Sequence, residues 1–198
     1  MKKWKYFCIL LVIPLLSGAW VYRYRTLNQH YDELSNVAEE TFEVGSEIAF
    51  GEDYIDYGLT ADGYLICIDK FEMLDYETFA EAYNSGYIST GKVPDKLALI
   101  SITLKNQGSN DKGVPLAEME LFGLDELIFM DYELLQKLNP VLRGNLGISL
   151  ADNTEYTLLL PYGLYQDDFS QDTWEHIDKY DMYLQVTTHP VRKVVIFD

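Results

Sequence analysis

The sequence is short of cysteine, of histidine and, beyond its first 25 residues, of positive charge. Cys8 and Cys67 are the only cysteines, too few for a disulfide framework. Lys2, Lys3, Lys5, Arg23 and Arg25 all precede residue 26, where no Asp or Glu occurs. Residues 26–198 therefore hold 10 basic side chains against 32 acidic ones, a formal charge of −22. A body of that sign repels phosphate backbones, which excludes nucleic acid as a partner. His30, His176 and His189 are the whole supply of imidazole. There is no G-x-S-x-G, no H-E-x-x-H, no glycine-rich phosphate loop and no C-x-x-C. Ser109-Asn110-Asp111-Lys112 fits S-x-x-K, but that chemistry needs the serine at a helix start with the lysine one turn on. Here the motif lies in a glycine-flanked loop, without S-D-N or K-T-G after it, and reads as a chance match. No catalytic residue and no cofactor is expected. Disorder is excluded as well, because a chain 48% apolar and 14% aromatic can bury enough surface to offset its ordering entropy.

The N-terminal 25 residues form a distinct piece. Tyr6 to Tyr22 is a run of 17 residues without a formal charge, flanked by Lys5 and Arg23. As a helix it would be about 26 Å long, just short of a hydrocarbon core about 30 Å thick. Trp4, Tyr6, Trp20, Tyr22 and Tyr24 place aromatic rings at both ends, as an interfacial belt does. The three lysines on one side favour an N-in anchor with the acidic body outside the cytoplasm. A signal peptide cleaved near Ala19 has the same n-region and h-region, with Ser17-Gly18-Ala19 as its small-residue site. Trp20 stands where a lipoprotein needs cysteine. The chain thus divides into a basic tip (1–5), an anchor or uncleaved signal (6–22), a polar stalk (23–40) and an extracytoplasmic domain (41–198).

Period-two alternation dominates that domain. Phe42, Val44, Ile48 and Phe50 share one parity, predicting one half-buried strand. Asp62-Gly63 separates YIDYGL from YLICI as a hairpin turn does, and Cys67 reads as an inert core residue of the second strand. Further strands are predicted over 96–106, around Val114–Phe122, Leu127–Met130, Leu146–Leu150, Tyr156–Leu160, Met182–Thr187 and Val191–Phe197. Short helices fit Tyr76–Asn84 behind an Asp75 cap, the leucines after Asp131, and 173–178. Strands following strands argue a mainly β, antiparallel sandwich with two or three short helices. From 139 to 162 the segment reads as architecture. Asn139-Pro140 ends a helix, Gly144 and Gly147 allow turns, Tyr156, Leu158 and Leu160 face the core, and Pro161 ends the strand.

In order, the pieces DGYLICIDKFEMLDYETF, LISITLKNQGSNDKGVPLAEMEL, LNPVLRGNLGISLADNTEYTLLLPY and MYLQVTTHPVRKVVIFD follow a basic N-terminus with one apolar run. This order resembles a family of small surface proteins of Gram-positive bacteria known only as domain of unknown function 5028. The resemblance implies an extracytoplasmic Ig-like domain and brings no function or catalytic residue with it.

Two surface features remain. Asp167, Asp168, Asp172, Glu175, Asp178 and Asp181 fall within 15 residues, and Asp168, Asp172 and Glu175 are the candidates for an irregular Ca²⁺ site. An EF-hand is excluded, since counting from Asp168 puts Thr173 sixth and Lys179 twelfth where Gly and Glu are needed. Sixteen tyrosines, among them Tyr54, Tyr57, Tyr64, Tyr76, Tyr83 and Tyr87, would suit a cationic or amphipathic protein partner if several met on an exposed face among carboxylates. The reading is a non-enzymatic, membrane-anchored binding or structural module of the cell envelope. The alternatives are an envelope hydrolase assembled from distant residues, around His176 or His189, and a calcium-dependent structural module.

Overall fold

The computed structural model describes residues 16–26, 37–56, 58–83, 92–108, 110, 112–123 and 126–197. The chain divides after Val37 into two units. In the first, residues 16–26 are helical (α1). Trp20 stacks on Tyr24 at 5.4 Å, and the Thr26 hydroxyl donates to the Tyr22 carbonyl at 2.9 Å. The helix runs on through Arg23 and Arg25. Among the described residues no helix is long and apolar enough to cross a membrane; residues 6–15 of the expected span lie outside them.

The second unit is mainly β. Its strands are β1 (Ala38–Glu43), β2 (Glu47–Ala49), β3 (Tyr54–Asp56), β4 (Leu59–Thr60), β5 (Tyr64–Asp75), β6 (Lys96–Asn106), β7 (Glu120–Gly123), β8 (Glu126–Ile128), β9 (Thr154–Leu164), β10 (Met182–Thr187) and β11 (Val191–Phe197). Residues 38–40, read from sequence as the end of a stalk, are thus the start of β1. One sheet runs β1-β11-β10-β7-β8, a second β2-β5-β6-β9, and β3 and β4 form a two-stranded pair. Ile66, Ile100 and Leu160 of the second sheet share one buried cluster with Leu121, Leu184 and Val195 of the first.

Four expectations about strands are corrected. The first sheet is mixed rather than antiparallel, because β1 lies parallel to β11, Phe42 opposite Val195. The predicted Phe42–Phe50 strand is two strands in different sheets. Gly45, at φ +88, turns the chain between them, its N–H donating to the Ile68 carbonyl at 2.8 Å. A left-handed backbone suits glycine because no Cβ clashes there. Val44, next to this corner, is consequently exposed. The turn at Asp62-Gly63 exists, with Tyr64 N–H donating to Ala61 at 3.0 Å, but it closes no hairpin. Both flanks of β5 are taken by β2 and β6, so β4 pairs with β3 instead. Around 114–118 and 146–150 the expected strands reduce to one bridge, Val114 to Ile148.

Helices cover the outer face of the second sheet at one end. On α2 (Tyr76–Tyr83), Phe79 is fully buried with Leu97, Leu99 and the Leu134 of α3 (Tyr132–Leu138). Burying an aromatic side chain of this kind stabilises by about 1.5–3 kcal/mol. Asp131 caps α3, accepting from Leu134 N–H at 2.9 Å, and Asn139 terminates it. The Asp75 carboxylate instead meets Lys96 at 2.9 Å. A third short helix, α4 (Gln171–Glu175), starts behind Ser170.

Pro161 does not end β9, which continues to Leu164. Residues 159, 161 and 163 turn their main-chain polar groups to the outer edge. There Pro161 accepts from Asp131 N–H at 2.8 Å, and Gly163 N–H donates to Phe129 at 3.1 Å. Its missing donor points away from β6, so the ladder loses nothing. Tyr156 is exposed while Leu158 and Leu160 are buried, because the core does not reach that end of β9. Cys67 is half-buried rather than core, on the outer face of β5 between the inward Ile66 and Ile68. Burial, with Asp69 and Glu47 adding, pushes its thiol up. A buried ion pair ties the last strand to the loop before β3: Lys193 Nζ lies 2.6 Å from Asp53 and donates to Ala49 O at 2.7 Å.

Candidate protein-interaction face

Strand register sets a row of side chains across the five-stranded sheet. Leu127 lies opposite Phe122, Phe122 opposite Tyr183, and Tyr183 opposite Ile196. Side chains paired in this way share a face. Their strand neighbours Ile128, Leu121, Leu184 and Val195 are buried in the core, so this row points outward, and each member is half-buried. The Phe122 and Tyr183 rings stack at 5.2 Å.

A polar row runs beside it. Arg192 meets Glu39 at 2.9 Å, donates to Gln185 at 2.7 Å and to the Tyr183 hydroxyl at 3.0 Å, and covers the Tyr183 ring at 5.2 Å. Gln185 donates in turn to Glu120 at 3.0 Å. Burial pushes the Glu120 carboxyl up; the charges of Glu118 and Asp56 add to this and Arg192 opposes it.

At the β8 end the row reaches a groove of about 210 Å³ lined by Leu127, Phe129, Tyr165 and Phe169, with the carboxylates of Glu126 and Asp168. Phe129 is 73% exposed. Phe169 stacks on Trp174 at 6.0 Å. Lys92 Nζ lies 5.0 Å from the centre of the Tyr165 ring and 2.9 Å from Asp167, a bond that holds its ammonium above the ordinary lysine value.

A larger cleft of about 570 Å³ lies between residues 58–60, 112–118 and 145–149. Its wall is the Val114–Ile148 bridge, with N–H···O distances of 2.8 and 3.0 Å. A Cβ on Gly147 would stand 2.7 Å from the Val114 carbonyl, so glycine is required for the two strands of chain to meet. Lys112 and Glu118 are its charged lining residues; the cleft is a seam between loops.

The residues singled out from sequence are scattered. Asp168 ends a 3-10 turn at the groove, while Asp172 and Glu175 sit on α4. Among the described residues no group of three His, Cys, Asp or Glu side chains is placed to hold a metal. Glu175 accepts from Gln171 at 3.0 Å. Asp178 pairs with Lys96 at 3.3 Å. His176 is exposed at the end of α4, its Nδ1 2.9 Å from the Asp172 carbonyl. His189 stacks on Tyr54 at 4.6 Å. Neither histidine lines the cleft or the groove.

Of the named tyrosines, the described ones form no exposed face, since Tyr64 is buried and Tyr54, Tyr76 and Tyr83 are half-buried. Tyr64 is buried, with Leu150 N–H donating to its hydroxyl at 2.9 Å. Tyr83 stacks on Phe79. Tyr57, Tyr87 and Ser109 lie outside the described residues. Two tyrosines outside the named set do lie near charge on the surface: Tyr183 under the Arg192 guanidinium, and Tyr165 in the groove with Glu126 and Asp168. Sequence reasoning missed them because period two shows that Phe122 and Tyr183 share parity within their strands, but not that the strands pair.

The yjhA protein from Bacillus subtilis, known from a crystal structure, is 12% identical to this chain with a TM-score of 0.42, over 79% of this chain and 98% of that one. No curated protein matches the chain. The sequence profile of the family described as Domain of unknown function (DUF5028) matches residues 39–193, most of the length, and the chain belongs to that family.

Proposed function

We propose that this protein is a non-enzymatic, membrane-anchored Ig-like module that holds a basic protein or peptide on the outer side of the cell envelope. The observation that carries the reading is the outward row Leu127, Phe122, Tyr183 and Ile196, set on a body of formal charge −22. Aromatic side chains supply contact area at low entropic cost, and the surrounding carboxylates select partners of opposite charge. The strand neighbours support the Ig-like reading. Ig domains pair strands B and E in one sheet and C, F and G in the other. Here β6 pairs with β9, while β7, β10 and β11 are neighbours, the same relation in the same chain order. The uncharged run from Tyr6 to Tyr22 and its aromatic flanks support the anchor.

The test retains envelope proteins on immobilised full-length chain at low salt, comparing wild type with Phe122→Ser. A basic protein held by the wild type, released by raised salt and lost in the variant is the expected result. Equal retention by both, or none by either, overturns the proposal. Protease added to intact cells should digest the domain, whereas recovery of a soluble form beginning at Trp20 would show cleavage in place of anchoring.

A further inference from the structure

Of the surfaces on the described residues, the groove beside Phe129 carries the most information about a ligand. It combines an unburied aromatic anchor with two rim carboxylates, Glu126 and Asp168. An exposed phenylalanine costs apolar hydration that a partner relieves by covering it. The rim repels an acidic partner and attracts a basic one.

Tyr165 narrows the chemistry further. It lines the groove, and the ammonium of Lys92 already stands over its ring at 5.0 Å while bonding to Asp167. A cation over an aromatic face and against a carboxylate is a strong way to recognise lysine or arginine. The internal pair is also easy to displace. Lys92 and Asp167 are 53% and 83% exposed, so water and salt screen their attraction.

We infer that the Phe129 groove seats a peptide segment in which a lysine or arginine neighbours an apolar residue, and that Lys92 occupies the cation position in the free protein. The apolar residue covers Phe129 and Phe169. The basic residue takes the Tyr165 ring and the Asp167 and Asp168 carboxylates, and Lys92 gives way to it. This rests on the reading that the protein takes a basic partner, and it adds where and by what side chains.

The experiment measures fluorescence anisotropy of a labelled peptide of alternating lysine and leucine against the full chain, with an alternating glutamate and leucine peptide as control. Binding of the lysine peptide alone is expected. Phe129→Ala and Asp168→Asn should each weaken it about fivefold or more, the scale of an anchor residue. Lys92→Ala should tighten it by more than Lys112→Ala, which makes the same change of charge at the other cleft. Circular dichroism checks that Phe129→Ala, a change at an exposed site, leaves the fold intact. Wild-type affinity in Phe129→Ala would overturn the groove and leave the basic-partner reading standing. Equal effects of Lys92→Ala and Lys112→Ala would overturn the internal competitor. No binding of the lysine peptide to the wild type at low salt would sink both readings.

Discussion

The side-chain amide of Asn139 takes both main-chain polar groups of Leu159. Its Nδ2 donates to the Leu159 carbonyl at 2.7 Å, and its Oδ1 accepts from Leu159 N–H at 2.9 Å. One side chain thereby stands where the next strand of the sheet would be. With the Asp131 and Phe129 bonds at Pro161 and Gly163, it closes one end of an edge that would otherwise invite pairing with another chain.

Asn139→Ala should therefore cost about 2–3 kcal/mol, since burying main-chain groups without partners costs about 1–3 kcal/mol each. Asn139 is itself only 4% exposed, so water does not readily replace it. Urea unfolding of the variant checks this. A loss below about 0.5 kcal/mol, the range of an ordinary surface change, would show that the edge does not depend on the amide.

Leu158 and Tyr156 make a paired test of which residues of β9 the core covers. Leu158 is 1% exposed and Tyr156 42%, although both lie on the same side of the strand. Leu158→Ala should cost about 2–5 kcal/mol through lost burial and the cavity left behind. Tyr156→Ala should stay within about 0.5 kcal/mol. Similar losses in the two variants would mean that the core extends to the end of the strand.

Glu120 should make stability depend on pH in a particular direction. Burial and its acidic neighbours hold its carboxyl above the ordinary value in the folded protein, so the native state binds this proton more tightly than the unfolded chain. The ionised form therefore lowers stability above the folded value. That loss fades as pH falls through the window down to the ordinary carboxylate value, about 4.3. Glu120→Gln should melt above wild type at pH 7, with the gap closing toward about pH 4. Melting curves of both proteins across that range decide it; a gap independent of pH would place the effect in packing instead.

Much of the local structure was legible in the residues alone. The alternation in 96–106, 182–187 and 191–197 became β6, β10 and β11, because side chains of a strand must point alternately to its two faces. Asp131 became a helix cap and Asn139-Pro140 a helix stop, because both act through their own backbone neighbours. The separation of a basic N-terminus from an acidic body is likewise a property of composition. What tertiary structure decided is which face of each strand is covered and which strands meet. Leu99 is buried like its inward neighbours because α2 and α3 lie over it. β1 meets β11 in parallel, Ala38 opposite Val191, only because Gly45 lets the chain leave one sheet for the other. The row from Leu127 to Ile196 exists only once four strands have paired in register. Period two divides residues into two faces, but the cover over each face comes from segments far away in the chain, and no local pattern records that distance.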